Sequence, residues 1–336
     1  MQRFITIMDI ARELNISVAT VSRAMRDAYD VSKKTRERVL EKAIQMNYKP
    51  NFNAIGLAKS KTHTIGVIVP SITNYYFSTV FTGIQEIAYR ENYQIVLCVT
   101  NDSAEKELEI IRNLSITSFD GLLVSTCSSS GACSHLQEVM DNGVPIVFFD
   151  RVPAGMETSK VTQDDFNGAF EAVEHLLACG YSKIAHITGP ENLDFTAKRL
   201  EGYKAALLKH DIPFDPEWII YSGFSQECGG QDVQKLLEAK ERPDAIFAVN
   251  DRKAIGAMLA LKNKNIKIGE EMGVIGFTDD PVCSLISPAL TTIAEPAFAI
   301  GTTSCELLFK HIRKKYFQPQ QVVLPGRLVK RESCIR

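Results

Sequence analysis

Ile7-Met8-Asp9-Ile10-Ala11 and, five residues further on, Ser17-Val18-Ala19-Thr20-Val21-Ser22-Arg23-Ala24 decide how this chain is read. Ile7, Ile10, Ala11 and Leu14 recur at helical spacing, behind Thr6 as an N-cap and with Asp9 in the first turn. Asn15-Ile16 break that helix, and Ser17 caps a second one running to Met25, with Val18, Val21 and Met25 offering an inner face. Ser32 caps a third helix to about Asn47, with Val39, Leu40, Ala43 and Ile44 facing inward. Three short helices with a tight turn between the first two make a helix-turn-helix, a fold that sets the start of its second helix in the DNA major groove. Thr6, Ser17, Val18, Ala19, Thr20, Ser22 and Arg23 are therefore candidate DNA contacts. Arg23 could fork onto guanine or clamp a phosphate, and Val18 and Ala19 could meet a thymine methyl. Thr35 and Arg36, with Lys33, open the third helix and would hold phosphates, which positions the head without reading sequence.

Charge supports a division of labour. The formal net charge is −2, yet residues 1–61 carry twelve Lys/Arg against six Asp/Glu, leaving 26 against 34 in the remainder. A basic head on an acidic body expects a polyanion at the head alone. Eight scattered cysteines, with no Cys-x-x-Cys pair, expect reduced thiols. No apolar run approaches membrane-spanning length, and the charged amphipathic start does not resemble a secretory signal, so a cytoplasmic location with no membrane partner is expected.

Beyond the head, Pro50 ends the third helix and opens a short basic linker with Lys59 and Lys61. Asn53-Ala54-Ile55-Gly56-Leu57-Ala58 could form about one and a half turns, well short of what an isolated helix needs in water. From Thr64 the rhythm becomes β-α alternation. Ile65–Val69, Ile95–Val99, Gly121–Val124 and Pro145–Phe149 are apolar strands separated by helical segments such as Phe77–Asn92 and a Glu-rich helix from Ala104. A second set begins after Val161, with helices Gly168–Cys179, Lys198–His210, Gly230–Glu238 and one from Arg252. Its strands are Ile184–Ile187, Trp218–Tyr221, Ala245–Val249 and Gly273–Phe277. Two doubly wound units expect two Rossmann-like lobes with a cleft between them. The domain reading is a headpiece over 1–49, a hinge over 50–63 and a core over 64–336, its lobes split near 161 and the chain crossing back near 290–320.

Ligands of such sheets bind beyond the carboxyl ends of the strands. The residues there are polar or aromatic: Asn74 with Tyr75 and Phe77, Asn101-Asp102, Ser125, Asp150-Arg151, Gln163-Asp164, Asn250-Asp251 and Thr278-Asp279. That mixture suits a polyhydroxylated molecule. Each residue singly could equally be a loop cap or turn former.

The head resembles the LacI/GalR family of bacterial regulators through the two stretches quoted first, continued by Val31–Val39 and Asn47-Tyr48-Lys49-Pro50-Asn51. The core is similar to the same family, and so to type I periplasmic sugar-binding proteins, from Ile65 to about Val329. The pieces that carry it include Val147–Arg151, Asp164–Gly168, Arg199-Leu200-Glu201-Gly202-Tyr203 and Leu290-Thr291-Thr292-Ile293. The resemblance implies a hinge whose Leu57 wedges into the minor groove, with Ala54 allowing close approach and Asn51 at its start. Ile55 departs from the polar or basic residue often found there. It implies an effector set of Asp150, Arg199, Phe224, Asn250 and Thr278-Asp279, with Phe195 included and Glu295 at the cleft mouth. Thr278 stands where members often carry an acid, and Glu295 where some carry a neutral amide.

The implied function is a repressor on a pseudo-palindromic operator, acting as a homodimer and controlled by a small molecule, a sugar or sugar derivative. Purine, phosphosugar or co-repressor control and, remotely, a solute-binding protein stand as alternatives. No phosphate-binding loop, dinucleotide fingerprint, nucleophile elbow or His-Glu-x-x-His occurs, so no enzyme, cofactor or metal is expected. The tail after Val329 is polar and without leucine heptads, which expects a dimer rather than a tail-bundled tetramer.

Overall fold

The computed structural model describes residues 5–25, 30–48, 61–113, 118–128, 133–314 and 316–336. The chain divides into two compact units, Met1–Thr62 and His63–Arg336.

The first unit holds α1 (Ile7–Leu14), α2 (Val18–Met25) and α3 (Lys33–Gln45). Thr6 and Asp9 form a capping box at α1, with the Thr6 N–H and hydroxyl both donating to the Asp9 carboxylate at 2.9 and 2.7 Å. Asn15 ends α1 in a left-handed conformation, φ 52°, a geometry that Asn tolerates better than most residues. Ser17 accepts from Thr20 N at 3.0 Å at the start of α2, and Ser32 accepts from Thr35 N at α3. Ile10, Ala11, Val21, Ala24, Val39 and Ala43 make the core. Two residues expected inside are outside: Leu40 is exposed and Ile44 is 79% exposed. Val39, Ala43 and Met46 follow one face of α3, and at 100° per residue Leu40 and Ile44 are carried off it.

The second unit contains two six-stranded sheets. In the first lobe run β1 (Thr64–Val69), α4 (Tyr75–Arg90), β2 (Gln94–Val99), α5 (Ala104–Asn113), β3 (Gly121–Val124), α6 (Ser134–Asp141), β4 (Ile146–Phe149) and β5 (Lys160–Gln163). The second lobe takes α7 (Asp165–Ala178), β6 (Ile184–Thr188), α8 (Asp194–Lys209), β7 (Ile219–Tyr221), α9 (Gln226–Glu238), β8 (Ala245–Ala248), α10 (Asp251–Asn263), β9 (Gly273–Thr278) and β10 (Thr291–Ala294). The chain then crosses back to α11 (Ala297–Arg313) and β11 (Gln321–Leu324), and closes with β12 (Arg327–Val329). Strand orders are β11-β5-β4-β3-β1-β2 and β12-β10-β9-β8-β6-β7. All pairs are parallel except β12 against β10. Of the apolar runs read from the sequence, β3, β4 and β8 are buried throughout, as inner parallel strands require, while the edge strands β2 and β7 are only partly covered, with Val96 40% exposed.

Val161 lies inside β5, paired with Val322 and Phe149, so the first crossing falls after Gln163. At four residues, Lys-Val-Thr-Gln is too short and too polar to announce a strand. Trp218 sits in a 3₁₀ turn before β7 rather than in the strand. The C-terminal tail is polar in sequence, yet Ser333 and Cys334 are buried against β9, with Ser333 Oγ donating to Val274 O at 2.6 Å. The helices α4 and α11 touch closely, because a Cβ on Gly83 or Gly301 would strike the partner's carbonyl oxygens. The glycines Gly229 and Gly256 do the same for α9 and α10.

Among the described residues no helix is long and apolar enough to cross a membrane, and no three metal-ligating side chains gather. The eight cysteines are free thiols.

Candidate functional site

Both sheets point their carboxyl ends at one region, and the polar residues found there are supplied by the first residues after the strands or the first turns of the following helices. Arg199, in the second turn of α8, is the centre. Its Nε donates to Asp165 Oδ1 at 2.8 Å, Nη2 to Glu295 Oε1 at 2.8 Å and Nη1 to Val249 O at 2.5 Å. The guanidinium lies 3.6 Å from the Phe277 ring centre and 5.1 Å from that of Phe195, one helical turn back. Phe195 stacks on Phe224 at 5.6 Å, and Arg151 of the first lobe stands over the other aromatic of that pair, 5.8 Å from the Phe224 centre.

Asp150 follows β4 with φ 58°, which turns its carboxylate toward Ser125 Oγ, a donor at 3.2 Å, and the Tyr76 hydroxyl. Arg151 Nη1 donates to Asp102 Oδ1 at 2.6 Å and to Ser128 Oγ at 2.9 Å. Ser128 in turn donates to Asp102 from N and Oγ, both at 2.7 Å. Asn192 Nδ2 donates to Ser128 O, which ties the second lobe to the first at the rim.

Burial decides the protonation of this cluster. It pushes Asp165 up to about 6 and Glu295 up to about 7, with Arg199 opposing and the neighbouring carboxylate of Asp150 adding to the rise. Burial also raises Asp150. Asp102 lies on the wetter side. There Arg151 and Ser128 overcome its burial and hold it below the ordinary carboxylate range.

The sequence candidates separate into several groups. Asp102, Ser125, Asp150, Arg151, Phe195, Arg199, Phe224 and Glu295 come together in one connected network. Asn250 borders it: its Nδ2 donates to Phe224 O at 3.3 Å while its Oδ1 caps α10 by accepting from Lys253 N. Asn74 likewise caps α4 by accepting from Phe77 N at 2.9 Å, and Tyr75 is 42% exposed. Phe77 is buried in the apolar core of the first lobe, since α4 turns that side inward; the next-door Tyr76 reaches Asp150 instead. Asp279 is held in an ion pair with Arg331 at 2.6 Å. Sequence reasoning missed Tyr76, Asp165, Phe277 and Asn192. Asp165 had a signal, as the second acid of an Asp-Asp pair opening a helix. Tyr76 had none, because the register of α4 alone decides which of three adjacent aromatics faces the site.

A buried network stands behind the loop that carries Phe224. Lys253 Nζ donates to Thr188 O at 2.6 Å and Ser222 Oγ at 2.7 Å, and pairs with Asp232 at 2.8 Å. This anchors residues 222–225 against α9 and α10.

In the headpiece, Ser17, Val18, Ala19 and Arg23 are exposed, with Thr20 and Ser22 half-buried. Arg23 is paired with Asp30 at 2.9 Å on the surface, an exposed contact of about 0–1 kcal/mol that a phosphate could displace. Thr6, Thr35 and Arg36 are half-buried at helix starts. Asn51, Ala54 and Leu57 lie outside the described residues.

Residues 6–51 match the model of bacterial regulatory proteins of the lacI family. Residues 173–334 match that of a periplasmic binding protein-like domain. Catabolite control protein A of Priestia megaterium is 33% identical over 330 residues, 98% of this chain and 99% of that protein. The chain belongs to the LacI family. Among solved structures, the lac repressor dimer bound to operator and the anti-inducer ONPF superposes with a TM-score of 0.87 at 27% identity, covering 99% of this chain and all of that one. A complex of the transcriptional regulator CelR with cellobiose gives 0.74 at 26%, covering 98% of this chain and 99% of that one. The LacI-family make-up, a DNA-binding helix-turn-helix followed by a periplasmic-binding-protein-like core, is that of a transcriptional regulator.

Proposed function

We propose that this LacI-family regulator grips a pseudo-palindromic operator as a homodimer and represses transcription under the control of a sugar or sugar derivative held between the two lobes. The observation that carries the effector reading is the pairing of the stacked Phe195 and Phe224 with Asp150, Asp165, Glu295 and Arg199 at the strand ends. Aromatic faces cover the apolar side of a sugar ring, and carboxylates and guanidinium fork its hydroxyls. Cellobiose in the similar CelR complex is consistent with this. A phosphosugar or other anion fits less well, because both cleft guanidiniums are already spent on carboxylates.

A single headpiece contacts too few bases to select a site in a genome, and a short hinge helix around Leu57 needs a twin, so a two-fold dimer on a palindrome follows. Ser17–Arg23 read the major groove, and Leu57 kinks the centre of the site from the minor groove. Effector binding changes the relation of the lobes and with it the spacing of the two hinges, a coupling of about 1–3 kcal/mol in typical systems. The work place is the cytoplasm, where the chromosome is.

Footprinting of the protein on its own upstream DNA, with and without a sugar panel, tests the reading. A protected palindrome whose occupancy responds to one sugar is expected. Protection that no sugar alters, together with no heat of sugar binding, refutes the effector half; absence of any protected site refutes the whole.

A further inference from the structure

Among the described residues the cleft holds more carboxylates than cations, three of them buried, and we infer that the effector bears a positively charged nitrogen beside its hydroxyls, as an amino sugar does. This rests on the cleft being the effector site. The carboxylates of Asp102, Asp150, Asp165 and Glu295 face only two guanidiniums among the described residues, those of Arg151 and Arg199. Arg151 spends its short contact on Asp102 and stays 4.0 Å from Asp150. Arg199 is shared between Asp165, Glu295 and a carbonyl oxygen. Lys198, the next cation along α8, is turned to Asp194 at 2.6 Å. The side-chain hydrogen bonds of Asp150 come from the neutral donors Ser125 and Tyr76, with the guanidiniums of Arg151, at 4.0 Å, and Arg199 acting on it from further off.

A buried carboxylate with too little positive charge beside it resolves its position in one of two ways: it takes a proton, or it takes a cation. Without a ligand the cluster takes protons, which is why Asp165 and Glu295 hold theirs up to about 6 and about 7. An ammonium group next to Asp150 and Glu295 would replace those protons and leave each carboxylate with a charged partner.

A second observation points to a ligand with further polar groups. Thr196 Oγ1, in the turn of α8 between Phe195 and Arg199, is without a hydrogen-bond partner although the residue is only 1% exposed. Both amide atoms of Gln163, 5% exposed at the carboxyl end of β5, are unpartnered as well. Buried polar atoms are normally satisfied. Hydroxyls carried on the same molecule as the ammonium would satisfy them.

The test is calorimetry on the full chain near neutral pH with matched trios: glucose, glucosamine and N-acetylglucosamine, then the galactose, mannose and cellobiose equivalents. At least one amine is expected to bind tenfold or more tightly than both its neutral counterparts. Repeating the titration in two buffers of different ionisation enthalpy should show protons released on binding. Glu295→Gln and Asp150→Asn should each reduce amine affinity at least tenfold, and by a larger factor than they reduce any binding of the matched neutral sugar. Two variants guard against one failing to fold, which circular dichroism checks. A neutral sugar binding as tightly as its amine overturns the proposal and leaves the sugar-effector reading standing. Binding by no member of any trio overturns both.

Discussion

At the residue scale the molecule turns on Arg199, a guanidinium buried with two acids against it and a third nearby. Removing the cation leaves those acids uncompensated, and breaking a buried pair in this way costs about 3–5 kcal/mol. Arg199→Ala should lower the urea midpoint of the core accordingly and abolish the heat of effector binding. Arg199→Lys should recover little of either, because an ammonium cannot repeat a fork onto Asp165, Glu295 and the Val249 carbonyl oxygen. A variant with wild-type stability would show that solvent already screens the cluster. The same acids set a pH dependence. Asp165 and Glu295 keep their protons in the folded state after the unfolded chain has lost them, so raising the pH through the ordinary carboxylate range to about 7 favours unfolding. Stability of the ligand-free core should therefore decline from about pH 5 to about pH 7 and level off above that. Glu295→Gln should flatten much of the slope. A wild-type profile that is flat or rises across this window would contradict the buried, cation-poor description of the site.

At the element scale, periodicity made most of the architecture legible and local register withheld the rest. Ile65–Val69 and Ala245–Val249 read as buried parallel strands because nothing in them is polar, and β1 and β8 are found there. The strand Lys160–Gln163 was illegible: half its residues are polar, and it exists because β4 and β11 supply partners on both sides. Residues after strands could be nominated for the site from the fold rule alone, and Asp150, Arg151 and Asp102 took their places. Phe77 and Tyr76 show the limit, since both are buried in the first lobe and one residue of helix phase decides which of them reaches Asp150. Arg199 came from family likeness; no periodicity marks a charged residue on the inner side of a helix. Close packing of helices gives a prediction at this scale. The glycine at 256 lets the backbone of Gln226 lie against α10, and Lys253, one turn earlier, anchors the loop of Phe224. Gly256→Val would drive a side chain into the Gln226 carbonyl, where the obstructing atoms are backbone and cannot swing aside. Overpacking of this kind costs about 1–3 kcal/mol. Chemical denaturation should register that loss, and effector affinity should fall with it as the 222–225 loop shifts. Unchanged affinity in a destabilised variant would detach α9–α10 packing from the site.

At the scale of the whole molecule the uneven charge separates two kinds of binding. Residues 1–61 hold twelve basic and six acidic residues, while the rest of the chain is acidic in balance. DNA binding by the head displaces counterions condensed on the duplex, and a dimer neutralising about six phosphates loses affinity by about a thousandfold between about 50 and 200 mM salt. An effector in the proposed cleft would be held through buried groups, which salt screens far less. Operator affinity should thus fall steeply with salt while effector affinity stays within about threefold over the same range. On the proposed function Leu57, outside the described residues, is the minor-groove wedge, and Leu57→Ala should then weaken operator binding with the heat of effector binding unchanged. Arg199→Ala should do the converse, keeping salt-sensitive binding to a palindrome while losing its response to effector. Fluorescence anisotropy on operator and random duplexes across a salt series, run beside calorimetry on the same preparations, measures both. If Leu57→Ala lost effector binding, or if operator and effector affinities declined in parallel with salt, the two activities would not be carried by separate parts of the chain.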